Sequence, residues 1–169
     1  MAKDLTSIAD RLIAAYDTAT SLPPITAEAP DFSVADGYAV LADIEARRRA
    51  QGWRAVGRKI GFTNRTIWPR YGVHQPMWAH VWSHTVHFAK DGRATFDLKS
   101  FVLPRIEPEV VFKLKGPISA SDDPLAVLAA TTGASTAQTL AALPTPSPAA
   151  PTLAAARPLP AWAAAVAAS

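Results

Sequence analysis

Cysteine is absent from the 169-residue chain, and there is neither a large excess of one charge nor a long apolar run. Without cysteine the chain cannot form a disulfide scaffold or a thiolate metal site. Its 17 basic and 14 acidic residues give a net charge of +3, too small and scattered to indicate nucleic-acid binding. With no apolar stretch of about 18 residues and no signal-peptide core near Asp4, we expect a cytoplasmic protein without a membrane span.

The last quarter of the chain carries almost no charge. No acidic residue follows Asp123, and the single basic residue beyond it is Arg157. This segment is rich in Ala, Thr, Ser and Pro, and prolines spaced this closely interrupt helices and central strands. Such a composition buries too little apolar surface to offset the entropy of ordering the chain. We therefore predict a disordered tail over residues 133–169, with a short alanine-rich helix around Trp162.

Two helices are predicted before residue 53. The first has an apolar stripe at helical spacing, formed by Leu5, Ile8, Leu12 and Tyr16. The second begins after Ser33, which forms a capping-box pattern with Asp36, and it ends near Gly52. Between the helices, the prolines of residues 23–30 predict an extended linker.

The period of the apolar residues changes after the second helix. Residues 56–62 and 105–114 read as strands, and the Asp-Gly pair at 91–92 predicts a hairpin flanked by 82–88 and 93–96. Helices followed by several strands are typical of an α+β fold. We expect N-terminal helices and then a mixed, mainly antiparallel sheet.

The strand at 105–114 places two acidic residues side by side. Side chains on a strand alternate between its faces, so Glu107 and Glu109 share one face, about 6.5 Å apart along the strand. The other face, which we expect to be the core face, carries Ile106, Val110, Phe112 and Leu114. A divalent cation would relieve the repulsion between the two carboxylates. The same spacing also occurs on solvated strand faces, and the residues alone leave both interpretations open.

Other residues could also carry chemistry. Lys59 lies between Gly57 and Gly61 in an apolar strand, where it could serve as a general acid–base or be an ordinary surface lysine. His80 and His84 would share a helix face and could bind zinc, but their segment reads as strand and turn. A histidine-based zinc-binding module is a further, weaker alternative.

Several motifs together resemble one known family. Residues 56–63 are similar to its Gly-x-Lys-Ile-Gly-Leu-Thr motif, 71–76 to its Gly-Val-x-x-Pro loop, and 103–109 to its Pro-Arg-x-Glu-x-Glu strand. Residues 31–40 resemble its second helix. In order and spacing these stretches resemble the 2-keto-4-pentenoate hydratase and 2-oxo-3-hexenedioate decarboxylase branch of the fumarylacetoacetase superfamily, from the N-terminus to about residue 130.

The resemblance implies a site and a reaction. Glu107 and Glu109 match two of the family's three acidic ligands for Mg²⁺ or Mn²⁺, and Lys59 matches the lysine that lines its substrate pocket. The implied activity is a lyase of aromatic-compound catabolism, a hydratase that adds water to 2-hydroxypenta-2,4-dienoate and yields 4-hydroxy-2-oxopentanoate. The alternatives are a 2-oxo-3-hexenedioate (4-oxalocrotonate) decarboxylase and a non-catalytic partner of a full-length homologue.

The chain departs from the family after residue 130. The third acidic ligand should lie near Leu140, where no acidic residue occurs. Truncation, or a frameshift near 131–133, is our hypothesis for this change, and it would leave the isolated chain with little activity. We expect a helical region over 1–55, a partial fumarylacetoacetase-like catalytic domain over 56–132 and the tail after it. The implied assembly is a homo-oligomer or an association with a related hydratase or decarboxylase subunit.

Overall fold

The computed structural model describes residues 3–120 and 123–142 of the chain. They fall into two compact units, which divide between Val86 and His87. Helices dominate the start of the chain and antiparallel strands follow, so the predicted α+β class is confirmed. No helix in these ranges is long and apolar enough to span a membrane.

Two helices build the core of the first unit. Helix α1 spans Leu5–Asp17 and helix α3 spans Val34–Ala50, as the periodicity and capping signals predict. Their buried contact consists of Ile8, Ala9 and Val40. Leu5, Leu12, Ile25, Phe32 and Ile44 pack around it. This core is small, and its contribution to stability is limited, because each fully buried aliphatic side chain contributes only about 1.5–3 kcal/mol.

Helix α3 is capped at both ends by the residues that the sequence indicates. The Ser33 hydroxyl accepts from the Asp36 backbone N–H, and the Asp36 carboxylate accepts from the Ser33 N–H, which completes the capping box. Lys3 donates to the same carboxylate at 2.8 Å. At the other end, three arginines lie in the last turn and Gly52 follows with φ +88°, the left-handed geometry that glycine adopts easily.

The linker between these helices is not fully extended as predicted. A one-turn helix, α2, spans Ile25–Glu28 with Pro24 at its N-cap. Proline is compatible with a helix start because the first N–H groups of a helix have no intrahelical partner. Pro24 therefore precedes a helical turn, whereas proline was expected to keep this segment extended.

An antiparallel hairpin completes the first unit. Strand β1 spans Ala55–Gly61 and pairs with β2, Met77–Trp82, with Lys59 opposite Ala79. Between them lie a 3₁₀ turn at Arg65–Ile67 and helix α4, Trp68–Tyr71.

The strand predicted at 82–88 is wrong. Pairing with β1 ends where the Ser83 N–H donates to the Arg54 carbonyl, and a 3₁₀ turn follows at Ser83–Thr85. The Asp-Gly turn at 91–92 does form, with positive φ at both residues, but it closes only a single bridge between Lys90 and Arg93. The predicted turn at 91–92 is therefore present, whereas the strands predicted on either side of it are not.

The second unit contains one long hairpin. Strand β3 spans Pro104–Leu114, as predicted, and pairs antiparallel with β4, Thr131–Ala142. The connection between the two strands contains helix α5, Pro124–Ala129. Residues 121–122 of this connection are not described by the structure. The expectation that residues 133–142 are disordered is thus wrong, because they pair with β3. The rest of the predicted tail, including Trp162, lies outside the described residues.

The two faces of β3 have the reverse of the expected burial. Ile106, Val110, Phe112 and Leu114 do share a face, but they are exposed, Ile106 by 70%. Glu107, Glu109 and Val111 on the other face are half-buried. The expectation that the apolar face is the core face is wrong, because in the described ranges no further layer covers that side of the hairpin.

A buried arginine joins the helices to the hairpin. Arg48 of α3 is only 4% exposed, and its guanidinium donates to both carboxylate oxygens of Asp17 at the end of α1. It also lies 4.1 Å from the ring centroid of Trp53, which packs edge-on against Trp82 of β2. A charge in this position needs its partners, since an unpaired buried charge is costly.

We predict that Arg48→Met lowers the free energy of unfolding of the first unit by about 1–3 kcal/mol, since Asp17 loses a bidentate partner and Trp53 a cation–π contact. Urea denaturation followed by tryptophan fluorescence measures the change. Arg11→Met is the matched control, because Arg11 forms a bidentate pair with Glu28 in an exposed position and should contribute less than about 1 kcal/mol. An equal effect of the two variants would contradict the importance of Arg48.

We also predict a pH-dependent contribution from Asp36. The hydrogen bond from Lys3, and then those from Ser33, hold the pKa of Asp36 well below its ordinary value of 3.8. A carboxylate with a lowered pKa stabilises the folded state above the unfolded-state value, and this contribution is lost as the pH falls through the folded-state value. Asp36→Asn should therefore be destabilising at pH 7 and progressively less so below about pH 4. Parallel urea curves at pH 7 and pH 3 measure it; a difference independent of pH would refute the cause.

Candidate active site

The acidic face of β3 is the first component of the candidate site. Glu107 and Glu109 are separated by one residue on an extended backbone, so their side chains leave the same face of the hairpin. Opposite them on β4 lie Thr139 and Ala137. Both carboxylates are half-buried, and such a pair is costly unless positive charge or hydrogen bonds accompany it.

The donor set fits a hard divalent cation in part. Mg²⁺ is commonly bound by one or two carboxylates, with waters and substrate oxygens completing its octahedral shell. Glu107 and Glu109 supply two such carboxylates. Within residues 3–120 and 123–142, no group of three or more His, Asp or Glu side chains could hold a metal. Among the described residues, Glu107 and Glu109 are therefore two candidate ligands without a third acidic or histidine ligand beside them.

Lys59 lies in the other unit, on β1. It shares a sheet face with Gly57 and Gly61 on its own strand, and with Ala79 directly opposite on β2. A Cβ placed on Gly57 would meet nothing within 4 Å, and one on Gly61 only the Met77 carbonyl at 4.0 Å. The half-buried Lys59 side chain thus has small neighbours along its strand.

The opposite face of the same hairpin packs towards α3. Tyr38 of α3 accepts a hydrogen bond from the Trp78 backbone N–H at 3.2 Å, and the two rings lie 5.5 Å apart. Two helical turns further on, Glu45 Oε2 lies 2.8 Å from His80 Nε2. Between these contacts is a cavity of about 280 Å³. Its lining is completed by Leu41 and Ala42.

Glu45 is held as a carboxylate by positive neighbours. Arg49 donates to Glu45 Oε1 at 2.9 Å, and this contact, with His80 as a smaller cause, lowers the pKa of Glu45. The His80 side chain is only 8% exposed, and its Nε2 is closed off from solvent. The nitrogen is close to the carboxylate but not aligned as a linear hydrogen bond, so the contact is best described as an ion pair when His80 is protonated.

The histidines do not gather into a zinc site in the described ranges. His80 faces Glu45, while His84 packs 4.0 Å from the Trp53 ring and His87 packs against Phe96 in the second unit. His74 is exposed. A shared helix face for His80 and His84 does not form, because one lies on β2 and the other in the turn after it.

The structure places the predicted site residues on two separate hairpins. Glu107 and Glu109 come together on β3, and Lys59 lies on β1 of the first unit. The contact between Glu45 and His80 was not predicted from the sequence. Its residues are 35 positions apart and neither carries a motif, so only the tertiary packing reveals it.

The fold has known counterparts. No family model matches the chain. A 4-oxalocrotonate decarboxylase from Pseudomonas putida G7, solved with magnesium and adipate, aligns with a TM-score of 0.68 and 25% identity over 75% of this chain and 48% of that chain. The architecture is therefore that of the hydratase and decarboxylase fold.

Relatives by sequence include hydratases. The chain is 33% identical over 111 residues to a 2-hydroxypent-2,4-dienoate hydratase of Pseudomonas putida, covering 66% of this chain and 49% of the relative. It is 31% identical over 120 residues to a 2-hydroxyhexa-2,4-dienoate hydratase of Comamonas testosteroni, covering 69% and 45%. The predicted resemblance to the 2-keto-4-pentenoate hydratase and 2-oxo-3-hexenedioate decarboxylase branch is confirmed. The chain spans about half the length of these relatives.

We predict that Gly57→Ala is tolerated beside Lys59 and raises the free energy of unfolding by about 0.4–1 kcal/mol, since its Cβ meets no atom and the unfolded chain loses freedom. Gly72→Ala is the contrasting variant, because Gly72 ends α4 with φ +61°. That substitution should cost about 1–2 kcal/mol. Thermal and urea unfolding measure both; a destabilising Gly57→Ala would show that the space beside Lys59 is filled.

Proposed function

We propose that this chain carries the metal-binding and proton-transfer residues of a lyase that adds water to 2-hydroxypenta-2,4-dienoate. The observation that carries the proposal is the pair of half-buried carboxylates, Glu107 and Glu109, on one face of β3 in a chain similar to dienoate hydratases. A cytoplasmic location is part of the same proposal.

Glu107 and Glu109 would hold Mg²⁺ or Mn²⁺ through their carboxylate oxygens. The neighbour solved with magnesium supports a divalent cation of this kind. When bound, such a cation supplies Lewis acidity and orients a small 2-oxo acid through its oxygen atoms. The two glutamates would fix its position and balance its charge.

Lys59 would move the proton. The interconversion of the dienol and its 2-oxo form needs a group that delivers a proton to carbon and removes one from oxygen. A lysine with small neighbours along its strand can be approached closely by a small acid, and its ammonium attracts the acid's carboxylate. We assign Lys59 these two tasks, binding the acid and transferring the proton.

Decarboxylation of 2-oxo-3-hexenedioate is the second candidate function. The structural neighbour is a 4-oxalocrotonate decarboxylase, and it was solved with adipate, a six-carbon dicarboxylate. Hydration and decarboxylation share the need to stabilise a 2-oxo acid as its enolate. The described residues thus support both candidates, and the reaction product decides between them.

Metal binding can be tested without substrate. We expect Mn²⁺ to bind the full chain, measured by water-proton relaxation, and expect Glu107→Gln or Glu109→Gln to weaken binding by at least about tenfold. Glu28→Gln is the control, because Glu28 pairs with Arg11 in the first unit. Equal Mn²⁺ binding in all four proteins would overturn the assignment of the two glutamates.

The reaction is tested by following the loss of dienol absorbance with and without Mg²⁺ or Mn²⁺. Formation of 4-hydroxy-2-oxopentanoate supports the hydratase, and CO₂ release from 2-oxo-3-hexenedioate supports the decarboxylase. Lys59→Met should lower the metal-dependent rate about 10²–10⁴-fold. Turnover that appears only after a full-length relative is added would instead support a partner subunit. Absence of turnover in both cases would overturn the proposed activity.

A further inference from the structure

We propose that the cavity between α3 and β2 is a binding site for a small neutral aromatic molecule that carries a hydroxyl group. Its volume is about 280 Å³. The residues that line it are Tyr38, Leu41, Ala42 and Glu45 of α3 and Trp78 and His80 of β2. His80 and Lys59 lie on opposite faces of the hairpin. The cavity is therefore separate from the residues assigned to the proposed reaction, and the inference does not depend on that reaction.

The volume and the lining of the cavity suit a single six-membered ring. An apolar cavity of about 150 Å³ is large enough to bind benzene, so this larger one can hold a ring together with a substituent. Tyr38, Leu41, Ala42 and Trp78 contribute apolar surface to the lining. Aromatic rings attract one another in offset-stacked and edge-on arrangements. The two aromatic side chains therefore favour an aromatic ligand over an aliphatic one of the same size.

The aromatic part of the lining is restrained by contacts within the protein. The Trp78 backbone N–H donates to the Tyr38 hydroxyl at 3.2 Å, and the two ring centroids lie 5.5 Å apart. The Arg58 guanidinium lies 4.1 Å from the centroid of the Trp78 ring. A site whose side chains are already restrained loses less conformational entropy when a ligand binds.

The polar end of the cavity accounts for the hydroxyl group. The His80 side chain is only 8% exposed, and among the described residues its Nε2 has no hydrogen-bond partner with acceptable geometry. Glu45 Oε2 lies 2.8 Å from this nitrogen. A hydroxyl group is both a donor and an acceptor, so it can donate to Glu45 Oε2 and accept from an Nε2–H. Such a ligand would satisfy a buried polar atom that is otherwise costly to leave unpaired.

The charges around the cavity favour a neutral ligand. The hydrogen bond from Arg49 to Glu45 Oε1 lowers the pKa of Glu45, which therefore remains a carboxylate near neutral pH. This carboxylate would repel an anionic ligand. A cationic ligand would meet Arg49 on the same carboxylate and Arg58 on the Trp78 ring. A neutral hydroxyl group can hydrogen-bond to the carboxylate without adding a charge to the site.

The experiment uses 4-fluorophenol as the probe and follows its ¹⁹F NMR signal near neutral pH while the full chain is added. We expect a saturable shift and broadening, with a Kd in the millimolar range or below. Fluorobenzene lacks the hydroxyl group and should bind at least about fivefold more weakly, because the hydrogen bond to the carboxylate is lost. 4-Fluorobenzoate tests the preference for a neutral ligand, and it should also bind more weakly because Glu45 repels it.

Two matched alanine substitutions locate the bound probe. Ala42→Leu places a larger side chain in the cavity and should weaken the binding of 4-fluorophenol at least about tenfold. Ala39→Leu adds the same side chain to α3 at a position outside the lining, and it should leave the binding unchanged. Both positions are exposed, so both variants should fold, and circular dichroism verifies this.

The polar end is tested by Glu45→Gln, which keeps the shape of the side chain but removes its charge. This variant should bind 4-fluorophenol at least about threefold more weakly, whereas its binding of fluorobenzene should stay the same. Asp43→Asn is the control for loss of a carboxylate on the same helix, because Asp43 pairs with Arg47. It should change the binding of neither probe.

Several outcomes would overturn the proposal. Absence of saturable 4-fluorophenol binding would do so, as would equal binding by Ala42→Leu and the unmodified sequence. Equal binding of 4-fluorophenol and fluorobenzene would overturn the proposed ligand class. Binding that weakens as the protein concentration rises would show that a second copy of the chain covers the cavity instead. None of these measurements involves turnover, so their result is independent of whether the proposed activity is found.

Discussion

The burial of Arg48 is the constraint on which the first unit depends. Its guanidinium is enclosed where α1 ends and the hairpin begins, with Asp17 as its counter-ion and the Trp53 ring beneath it. Trp53 in turn packs against Trp82 of β2. The apolar core between α1 and α3 is only a few residues wide. A charged side chain with fixed partners therefore supplies the specificity that a larger core would otherwise provide.

The second unit is organised differently. Its long hairpin has carboxylates on the more covered face and aliphatic and aromatic residues on the more exposed one. A two-stranded sheet is marginally stable on its own, and its apolar face gains little until another layer covers it. This is consistent with a chain that spans about half of its relatives. The backbone geometry of β3 places both carboxylates on that more covered face.

Local signals predicted most of the fold. The capping box of Ser33 and Asp36, the apolar stripe of α1 and the alternation along β3 each depend on neighbours within a few residues. Strand β2 and the pairing of β4 depend on partners far away in the chain. For these two elements the predictions from the sequence differ from the structure. The same division holds for the site. Lys59, Glu107 and Glu109 stand in motifs, whereas His80 and Glu45 meet only because β2 packs towards α3.

The alternation along β3 also makes the chain sensitive to changes in its length. Adjacent residues of a strand face opposite sides, so a shift of one position exchanges its two faces. A single inserted or deleted residue just before Glu107 that shifts the pairing with β4 would turn both carboxylates to the exposed side and bring Ile106 and Val110 to the other. Substitutions at one position remove one ligand, whereas a one-residue insertion would remove both at once. Length variation in homologous genes should therefore be tolerated in the loop before Pro104 and selected against within the strand.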